Sequence, residues 1–237
     1  MRLPYFPLHT VAFPHLPLPI HVFEERYRAM AADLTATGSP YAGRFVVSMI
    51  TNGEEVGGDA TAQPIGTICE VRGAERYADG RWLLLAVGIE RARLGAVDRS
   101  GPYALVEADP VEEPAGNGAA AMLAPAQRAL DAYLATVKRF VVRVASVGND
   151  SPESTDVAAS LDQVLKPLQL PEDPVAASYA IGGVLQIELS RKQHLLELPD
   201  AASRLRAELD LLRSESRLLG EGALPPVQST DIGYHPN

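Results

Sequence analysis

Three of the five histidines have the residue type of a metal site but not its spacing. His9, His15 and His21 lie six residues apart along the chain. Six residues of extended chain span roughly 20 Å, whereas zinc ligands lie about 2 Å from the metal. Only a sharp reversal of the chain would bring these imidazoles to one ion, so we expect no metal site. His194, in a helical stretch, is expected to face solvent.

The single cysteine, Cys69, is the next candidate for chemistry. It lies in an alternating segment beside Ile68, and reactive thiolates need a cationic or helix-terminal setting. Arg72 is a nearby cation that keeps reactivity open, but we expect Cys69 to pack in the core. One cysteine excludes an internal disulfide and is typical of a reducing compartment, which predicts a cytoplasmic protein.

Nucleotide and acyl chemistry would need motifs that this chain lacks. The sequence contains no G-x-x-x-x-G-K-[ST] loop, and none of its lysines follows a glycine loop. No serine lies in a G-x-S-x-G elbow. Paired acids occur in surface-like contexts that do not favour acid–base catalysis, at Glu24-Glu25, Glu54-Glu55 and Glu112-Glu113. We expect no catalytic residue and no cofactor.

Ser190 and Lys192 are close enough in sequence for a Ser–Lys dyad to be considered. The same serine, with Gln193 three residues later, matches the capping box with which many helices begin. The capping role accounts for this serine fully, and we expect it in preference to the dyad.

The first half of the chain has the short apolar runs and turn residues of β-structure. Asp79-Gly80 is typical of a hairpin turn, and a helix is predicted over about 23–36, with Gly38 as a left-handed cap. The strand 82–87 is almost continuously apolar, which predicts cover on both faces. Strands are predicted at 44–50, 65–71, 82–87, 91–97 and 103–108. Several short strands favour a small barrel or twisted sheet.

After a Pro/Gly-rich boundary at 114–118 the period becomes helical. Two interleaved rows of apolar residues, each seven apart, predict a helix over 119–145, in which Pro125 fits only the first turn. The rows are Leu123, Leu130, Val137 and Val144, and Ala126, Tyr133 and Phe140. Further helices are predicted at about 156–166 and 174–188.

The last predicted helix is capped by Asp200 and buries Leu205, Leu209, Leu212 and Leu219. Arg204/Glu208 and Arg206/Asp210 are expected to be i,i+4 pairs on its solvent-exposed side, each worth about 0.3 kcal/mol. The predicted organisation is a β-domain over 1–115, a helical bundle over 118–219 and a mobile tail over 220–237.

Charge narrows the range of partners. The chain of 237 residues carries a formal net charge of −9, which disfavours nucleic acid, whose proteins present a basic patch, and anionic lipid surfaces. No run of eighteen apolar residues or signal-peptide pattern occurs, so neither a membrane span nor secretion is predicted.

The stretch FPLHTVAFPHLPLPIHVFEERY, residues 6–27, has prolines at 7, 14, 17 and 19 and then changes to helix-like sequence. Proline lacks an N–H and belongs at strand edges and turns. We expect this stretch to run along a surface or a sheet edge rather than as a central strand.

That stretch resembles the start of the N-terminal, substrate-binding (LON) domain of Lon proteases, through Phe6-Pro7-Leu8, Phe13-Pro14, Leu18-Pro19-Ile20, Phe23-Glu24 and Arg26-Tyr27. Further matches follow in order: the "GT" strand at 65–71, a V-x-G-x-x-R strand with Gly88, Arg91 and Arg93, and an "LLE…D…RL" region at 195–205. The resemblance covers residues 3–219.

The resemblance implies an α+β fold, with an N-terminal PUA-like β pseudo-barrel containing one helix, followed by a helical bundle. It also implies recognition of unfolded or damaged protein. The phosphate loop and the Ser–Lys dyad of full Lon proteases have no recognisable counterpart here, so ATP hydrolysis and proteolysis do not carry over. The chain is expected to be a standalone LON-domain protein.

The leading hypothesis is therefore a non-catalytic polypeptide-binding module, an adaptor or quality-control protein whose partners are client chains and a separate protease. It predicts an exposed apolar patch near the β-domain. The candidate binding residues are Phe13, Pro14, His15, Phe23 and Tyr27, with core packing the stronger expectation for the three aromatic ones. The alternatives are an enzyme of unrecognised type, with a site between β-domain and bundle, and a self-associating structural oligomer.

Overall fold

The computed structural model describes residues 1–53, 61–146 and 168–221, so the predicted helix at 156–166 and most of the predicted tail lie outside the described residues. The strands are β1 (Arg2–Leu8), β2 (Pro17–Val22), β3 (Arg44–Asn52), β4 (Thr61–Ala62), β5 (Ile65–Arg76), β6 (Trp82–Asp98) and β7 (Leu105–Pro110). The helices are α1 (Glu25–Thr35), α2 (Ala119–Ser146), α3 (Pro174–Val184), α4 (Leu189–Glu197) and α5 (Ala201–Gly220).

Five strands close into a ring in the order β1-β7-β6-β5-β3, because β1 pairs with both of its ends. Its pairing with β7 is antiparallel, with Leu3 opposite Val106, and its pairing with β3 is parallel, with Tyr5 opposite Val46. β4 pairs with β3 and β2 pairs with β6, outside the ring. The predicted α+β class, a β pseudo-barrel followed by helices, is confirmed.

Two apolar clusters lie on the two sides of the ring strands. All five ring strands contribute to the first, as the interior of a closed ring requires: Leu3, Tyr5, Val46, Ile68, Ala92, Val106 and Ala108. The second lies between strand faces and α1, which contributes Tyr27, Met30, Ala31 and Leu34. Cys69 belongs to this second cluster and is fully buried, which confirms its predicted core packing.

The proline-rich start of the chain, predicted to run along a surface or a sheet edge, does so only in part. β2, with Pro17 and Pro19, pairs with β6 alone among the described strands and is an edge strand. β1, however, is an interior strand of the ring although it contains Pro4 and Pro7, so the expectation is wrong for residues 6–8. A proline inside a strand removes one ladder donor, and β1 retains partners on both sides through its other residues.

The segments 82–87 and 91–97, predicted as two strands, form one strand of 17 residues. Gly88 lies between them but makes no turn. Its missing side chain instead admits a neighbouring segment, since a Cβ there would overlap the carbonyl oxygen of Phe13. The Asp79-Gly80 hairpin is confirmed: Gly80 has a φ of 87°, and the Tyr77 N–H donates to the Arg81 carbonyl at 2.9 Å.

The described residues divide into two compact units. The first contains the seven strands, α1 and also α4, whose residues lie within the helical bundle predicted over 118–219. The second contains α2, α3 and α5. Among the described residues, no helix is both long and apolar enough to cross a bilayer.

In the second unit the predicted seam of α2 is confirmed at Ala126, Leu130 and Tyr133, which are buried, and is lost at its end, where Val144 is exposed. Pro125 is the seventh residue of α2, so its predicted place in the first turn is wrong. Asp200 caps α5 as predicted, accepting a hydrogen bond from the Ser203 N–H at 2.7 Å.

The predicted position of Arg204 and Glu208 on the solvent-exposed side of α5 is wrong, because both side chains are fully buried. Arg204 donates to the Ser178 hydroxyl at 2.8 Å and to the Tyr179 hydroxyl at 2.9 Å. Burial raises the pKa of the Glu208 carboxyl well above its usual range, although the charge of Arg204 lowers it.

Candidate functional site

An apolar surface lies on the outer side of the β2–β6 pair. Pro17 and Pro19 on β2 lie opposite Val87 and Leu85 on β6, and side chains that oppose each other share one face of a sheet. Leu85 is 47% exposed and lies at the centre. We call this surface the ribbon face; its apolar residues are Pro17, Pro19, Leu83, Leu85 and Val87, and the exposed His21 lies on the same face opposite Leu83.

Strand alternation explains why these apolar side chains point outward. The residues between them, Ile20 and Val22 on β2 and Leu84 and Ala86 on β6, are buried in the cluster that α1 covers. On the β5 side, Leu85 lies opposite Gly73, which has no side chain to cover it. The core is thus formed by one set of residues, and the ribbon face remains available to a partner.

The outer edge of β2 offers few hydrogen-bond donors. Pro17 and Pro19 have no N–H, so the ladder between β2 and β6 must take its β2 donors from the alternate residues. The two prolines consequently occupy the positions that face away from β6. A second polypeptide would find little to pair with at this edge and would bind chiefly through side-chain packing on the ribbon face.

The segment before β2 is fixed to β6 at Gly88. The His15 N–H donates to the Gly88 carbonyl at 2.8 Å, and the Gly88 N–H donates to the Leu16 carbonyl at 3.0 Å. His15 has a φ of 66°, in the left-handed region. One step earlier, the Thr67 hydroxyl donates to the Ala12 carbonyl at 2.6 Å. These bonds determine the start of β2 and hence the position of the ribbon face.

The five predicted binding residues do not form one surface. Phe13, Pro14 and Tyr27 are buried, and the Tyr27 ring packs on Phe6 with centroids 4.1 Å apart. Core packing, the stronger expectation for Phe13 and Tyr27, is what the structure shows. His15 is exposed in the segment before β2. Phe23, directly after β2, is 50% exposed, so the core packing expected for it is wrong.

Sequence reasoning missed the ribbon face because the apolar run at 82–87 was expected to be covered on both faces. That expectation is wrong at Leu85. The signal that could have identified the surface is the pairing of this run with a proline-rich edge strand, since two prolines spaced by two in β2 belong on an uncovered edge.

A groove lies at one end of the ring, against the interior cluster. It has a volume of about 530 Å³. Tyr5 of β1 lines it, as do the end of β6 and the residues around β4. The lining residues are Tyr5, Thr61, Ala62, Gln63, Pro64, Leu94, Gly95, Val97 and Arg99.

The residues considered for covalent chemistry are not arranged for it. Burial raises the pKa of the Cys69 thiol to about 12, which keeps the nucleophilic thiolate scarce. Ser190 is exposed inside α4 and Lys192 is buried, and helix positions two apart do not face each other. The predicted cap at Ser190 is wrong, since α4 begins at Leu189. Among the described residues, no group of three or more His, Cys, Asp or Glu could hold a metal ion.

The motifs behind the family resemblance lie where backbones approach closely or where a charge is buried. A Cβ at Gly66 would overlap the carbonyl oxygen of Val47, and Gly88 admits Phe13. Arg91 is buried; it pairs with Glu113 and donates to the Leu196 carbonyl at 2.8 Å. These residues hold the first unit together.

The closed β-ring and the helices that follow it define the class of the chain: a protein of the α+β type. Residues 2–214 match the family model of the ATP-dependent protease La (LON) substrate-binding domain. The chain belongs to this family.

Curated relatives agree with this assignment. The chain is 24% identical over 226 residues to Lon protease 2 of Bdellovibrio bacteriovorus, covering 91% of this chain and 26% of that protein. It is 26% identical over 222 residues to Lon protease of Trichlorobacter lovleyi, covering 92% and 24%. The chain therefore spans about a quarter of the length of the curated relatives it matches.

Solved structures show the same fold. The N-terminal domain of the Mycobacterium avium complex Lon protease superposes with a TM-score of 0.60 at 21% identity, covering 90% of this chain and 98% of that one. A Lon N-terminal domain protein from Xanthomonas campestris gives a TM-score of 0.56 at 21% identity, covering 89% and 98%.

Proposed function

We propose that this protein recognises unfolded polypeptides without catalysing a reaction, and that it presents them to a separate protease as an adaptor of protein quality control. Membership of a substrate-binding family supports a recognition role. The observation that carries the proposal is the ribbon face, where Leu85 is 47% exposed among other apolar side chains. Contiguous apolar surface of this kind is typical of an interaction site.

The chemistry of the ribbon face suits clients whose sequences differ from one another. Proline and branched aliphatic side chains bind apolar groups through shape and desolvation rather than through directional bonds. The two prolines are already rigid, so a bound chain orders little of this surface. Unfolded proteins differ from folded ones in exposing such apolar side chains, and this difference would select them.

Binding of a permanently unfolded protein tests the proposal directly. Reduced and carbamidomethylated lysozyme, labelled with fluorescein, is titrated with the protein and the affinity is measured by fluorescence anisotropy. Leu85→Glu places a charge at the centre of the ribbon face, and we expect it to weaken binding about tenfold or more, since burying a charge in an apolar contact is costly.

Leu218→Glu is the matched control. Leu218 is also an exposed leucine, 43% exposed, but it lies on α5 in the other unit. We expect it to bind the client as the wild type does. Absence of wild-type binding, or equal loss in both variants, would contradict the proposal.

The adaptor role needs its own measurement. Wild type and Leu85→Glu are used in parallel to capture proteins from a native lysate of the source cells, and the bound proteins are identified by mass spectrometry. We expect wild type to retain client chains and a protease, with the clients lost in the variant. Retention of clients by both proteins, or no protease with either, would argue against the adaptor role.

A further inference from the structure

The groove at the end of the ring is formed where a strand is missing from the sheet. β5 begins at Ile65, which lies opposite Arg93 of β6. β6 continues to Asp98, and over its last residues it pairs with β7 on one side, as at Val97 and Val106. No described strand pairs with its other side there, so a stretch of backbone edge faces the groove.

The opposite wall of the groove is also a strand edge. β4 pairs with β3 and with no other described strand. Between the walls the connection into β5 is anchored by the Leu94 N–H, which donates to the Pro64 carbonyl at 2.8 Å. The groove therefore lies between β4, which continues along β3 ahead of β5, and the last residues of β6. Extended peptides bind to other proteins at such strand edges.

The groove has an apolar base and one cation at its end. Leu94, Val97 and Ala62 pack against the interior cluster. Arg99 lies one residue beyond β6. Burial raises the pKa of Tyr5, and this rise is opposed by the hydrogen bond with Ser48 and, to a smaller degree, by the charge of Arg99. Among the described residues, Arg99 has no ion-pair partner. A cation that nothing described neutralises, in a chain of net charge −9, suits an anion in the ligand.

The position of the charges limits where that anion fits. Glu107 lies beside Gly95, at the middle of the β6 wall, with its carboxylate 3.3 Å from where a Cβ of Gly95 would be. An acidic side chain there would be repelled, whereas a negative group at the Arg99 end would be attracted. The volume of about 530 Å³ lies within the roughly 300–1,000 Å³ of ligand pockets.

From these observations we infer that the groove binds the carboxyl end of an extended polypeptide, with the chain between β4 and the last residues of β6 and its terminal carboxylate at Arg99. A chain end is favoured over an internal acidic residue because the cation lies at the limit of the groove. The inference rests on the proposed function in taking the ligand to be a polypeptide, but it concerns a different surface.

The test uses the tripeptide N-acetyl-Val-Thr-Val as the free acid and as its amide. Each is titrated into ¹⁵N-labelled protein to 10 mM, and amide chemical shifts give both the site and the affinity. We expect shifts at residues 61–63 and 94–99, and binding of the acid about tenfold tighter than that of the amide, as for a charge-assisted hydrogen bond.

Arg99→Gln should abolish the preference for the acid without moving the binding site. Arg93→Gln is the matched control, since it removes the same charge from a residue of β6 that does not line the groove, and it should keep the preference. Equal affinity of acid and amide for the wild type, or no shifts in the groove at 10 mM, would overturn the inference.

A third variant separates this site from the ribbon face. Leu85→Glu should bind the tripeptide acid as the wild type does, even where it has lost the unfolded client. If Leu85→Glu abolished the groove shifts, the groove would not be an independent site. If wild type bound the tripeptide but no unfolded client, the groove inference would stand while the ribbon face would fail.

Discussion

Glu208 shows how much one buried group can influence a helical unit. Its carboxyl is fully buried on α5 and neither oxygen has a hydrogen-bond partner among the described residues. Desolvation raises its pKa well above the usual value, and the charge of Arg204 opposes this only in part. The folded state therefore holds the proton more tightly than the unfolded state, in which the pKa is about 4.3.

The sign of the pH dependence follows from that difference. Between the unfolded and the raised folded pKa, the folded state binds more protons, so the contribution of Glu208 to stability is complete below the unfolded pKa and is lost as pH rises through the folded pKa. Glu208→Gln resembles the protonated acid at every pH. We expect the variant to be about 1 kcal/mol more stable than wild type at pH 8, with a smaller difference at pH 5.

Urea unfolding followed by circular dichroism at both pH values measures this difference. Asp210→Asn is the control, since Asp210 lies exposed on the same helix and its loss should leave the pH dependence intact. Lys192 is also buried, which lowers its pKa. It is present in the wild type and in both variants, so its contribution to the pH dependence of stability is the same in all three proteins. A wild type and a Glu208→Gln variant with the same pH dependence would show that the carboxyl is already ionised in the folded state.

At the scale of elements, the crossing of the Phe13 segment over β6 depends on Gly88. A Cβ there would overlap the Phe13 carbonyl and lie 3.0 Å from the Pro14 Cα, all backbone atoms. We expect Gly88→Ala to destabilise the protein by about 2 kcal/mol, as for other overpacked positions, and to lower the urea midpoint. It should also weaken client binding, because β2 begins from this crossing.

Gly73→Ala in β5 provides the comparison. A Cβ at Gly73 would meet the Leu85 Cβ at 3.8 Å, an ordinary van der Waals distance, and alanine is favoured over glycine within a strand. We expect a midpoint at or above that of wild type. The role assigned to the crossing would be wrong if Gly88→Ala unfolded at the same urea concentration as Gly73→Ala.

The sequence predicted the elements that depend on neighbouring residues, and it did not predict those that depend on contacts between distant parts of the chain. The Asp79-Gly80 turn, the Asp200 cap and the first part of the α2 seam depend on neighbouring residues, and all three are confirmed. The interior place of β1 depends on closing the ring between β3 and β7, two strands distant in sequence. Propensity alone placed its prolines at an edge.

The burial of Arg204 and the two candidate surfaces were harder to predict for the same reason. Burial of Arg204 depends on hydroxyl partners in α3, which a helical wheel for α5 does not include. Exposure of Leu85 depends on β2 being an edge strand and on Gly73 opposite. The groove arises because β6 continues to Asp98, past Arg93, which is the partner of the first residue of β5. This is a property of strand register that the sequence pattern did not reveal.

At the scale of the whole molecule, charge and apolar surface should affect different steps of recognition. A net charge of −9 attracts basic polypeptides over a distance set by the ionic strength, about 10 Å at 0.1 M salt. The ribbon face acts only at contact and holds a bound chain by desolvation. Long-range charge therefore changes the association rate, whereas close apolar packing determines the dissociation rate.

Stopped-flow measurements of client binding at several salt concentrations test this division. For a basic unfolded client, such as reduced and carbamidomethylated lysozyme, we expect the association rate to fall at least threefold between 50 and 500 mM salt, with a nearly constant dissociation rate. An unfolded acidic client should show the opposite trend in association, since salt then screens repulsion. A dissociation rate that rises steeply with salt for the basic client would mean that ion pairs, and not the ribbon face, hold the complex together.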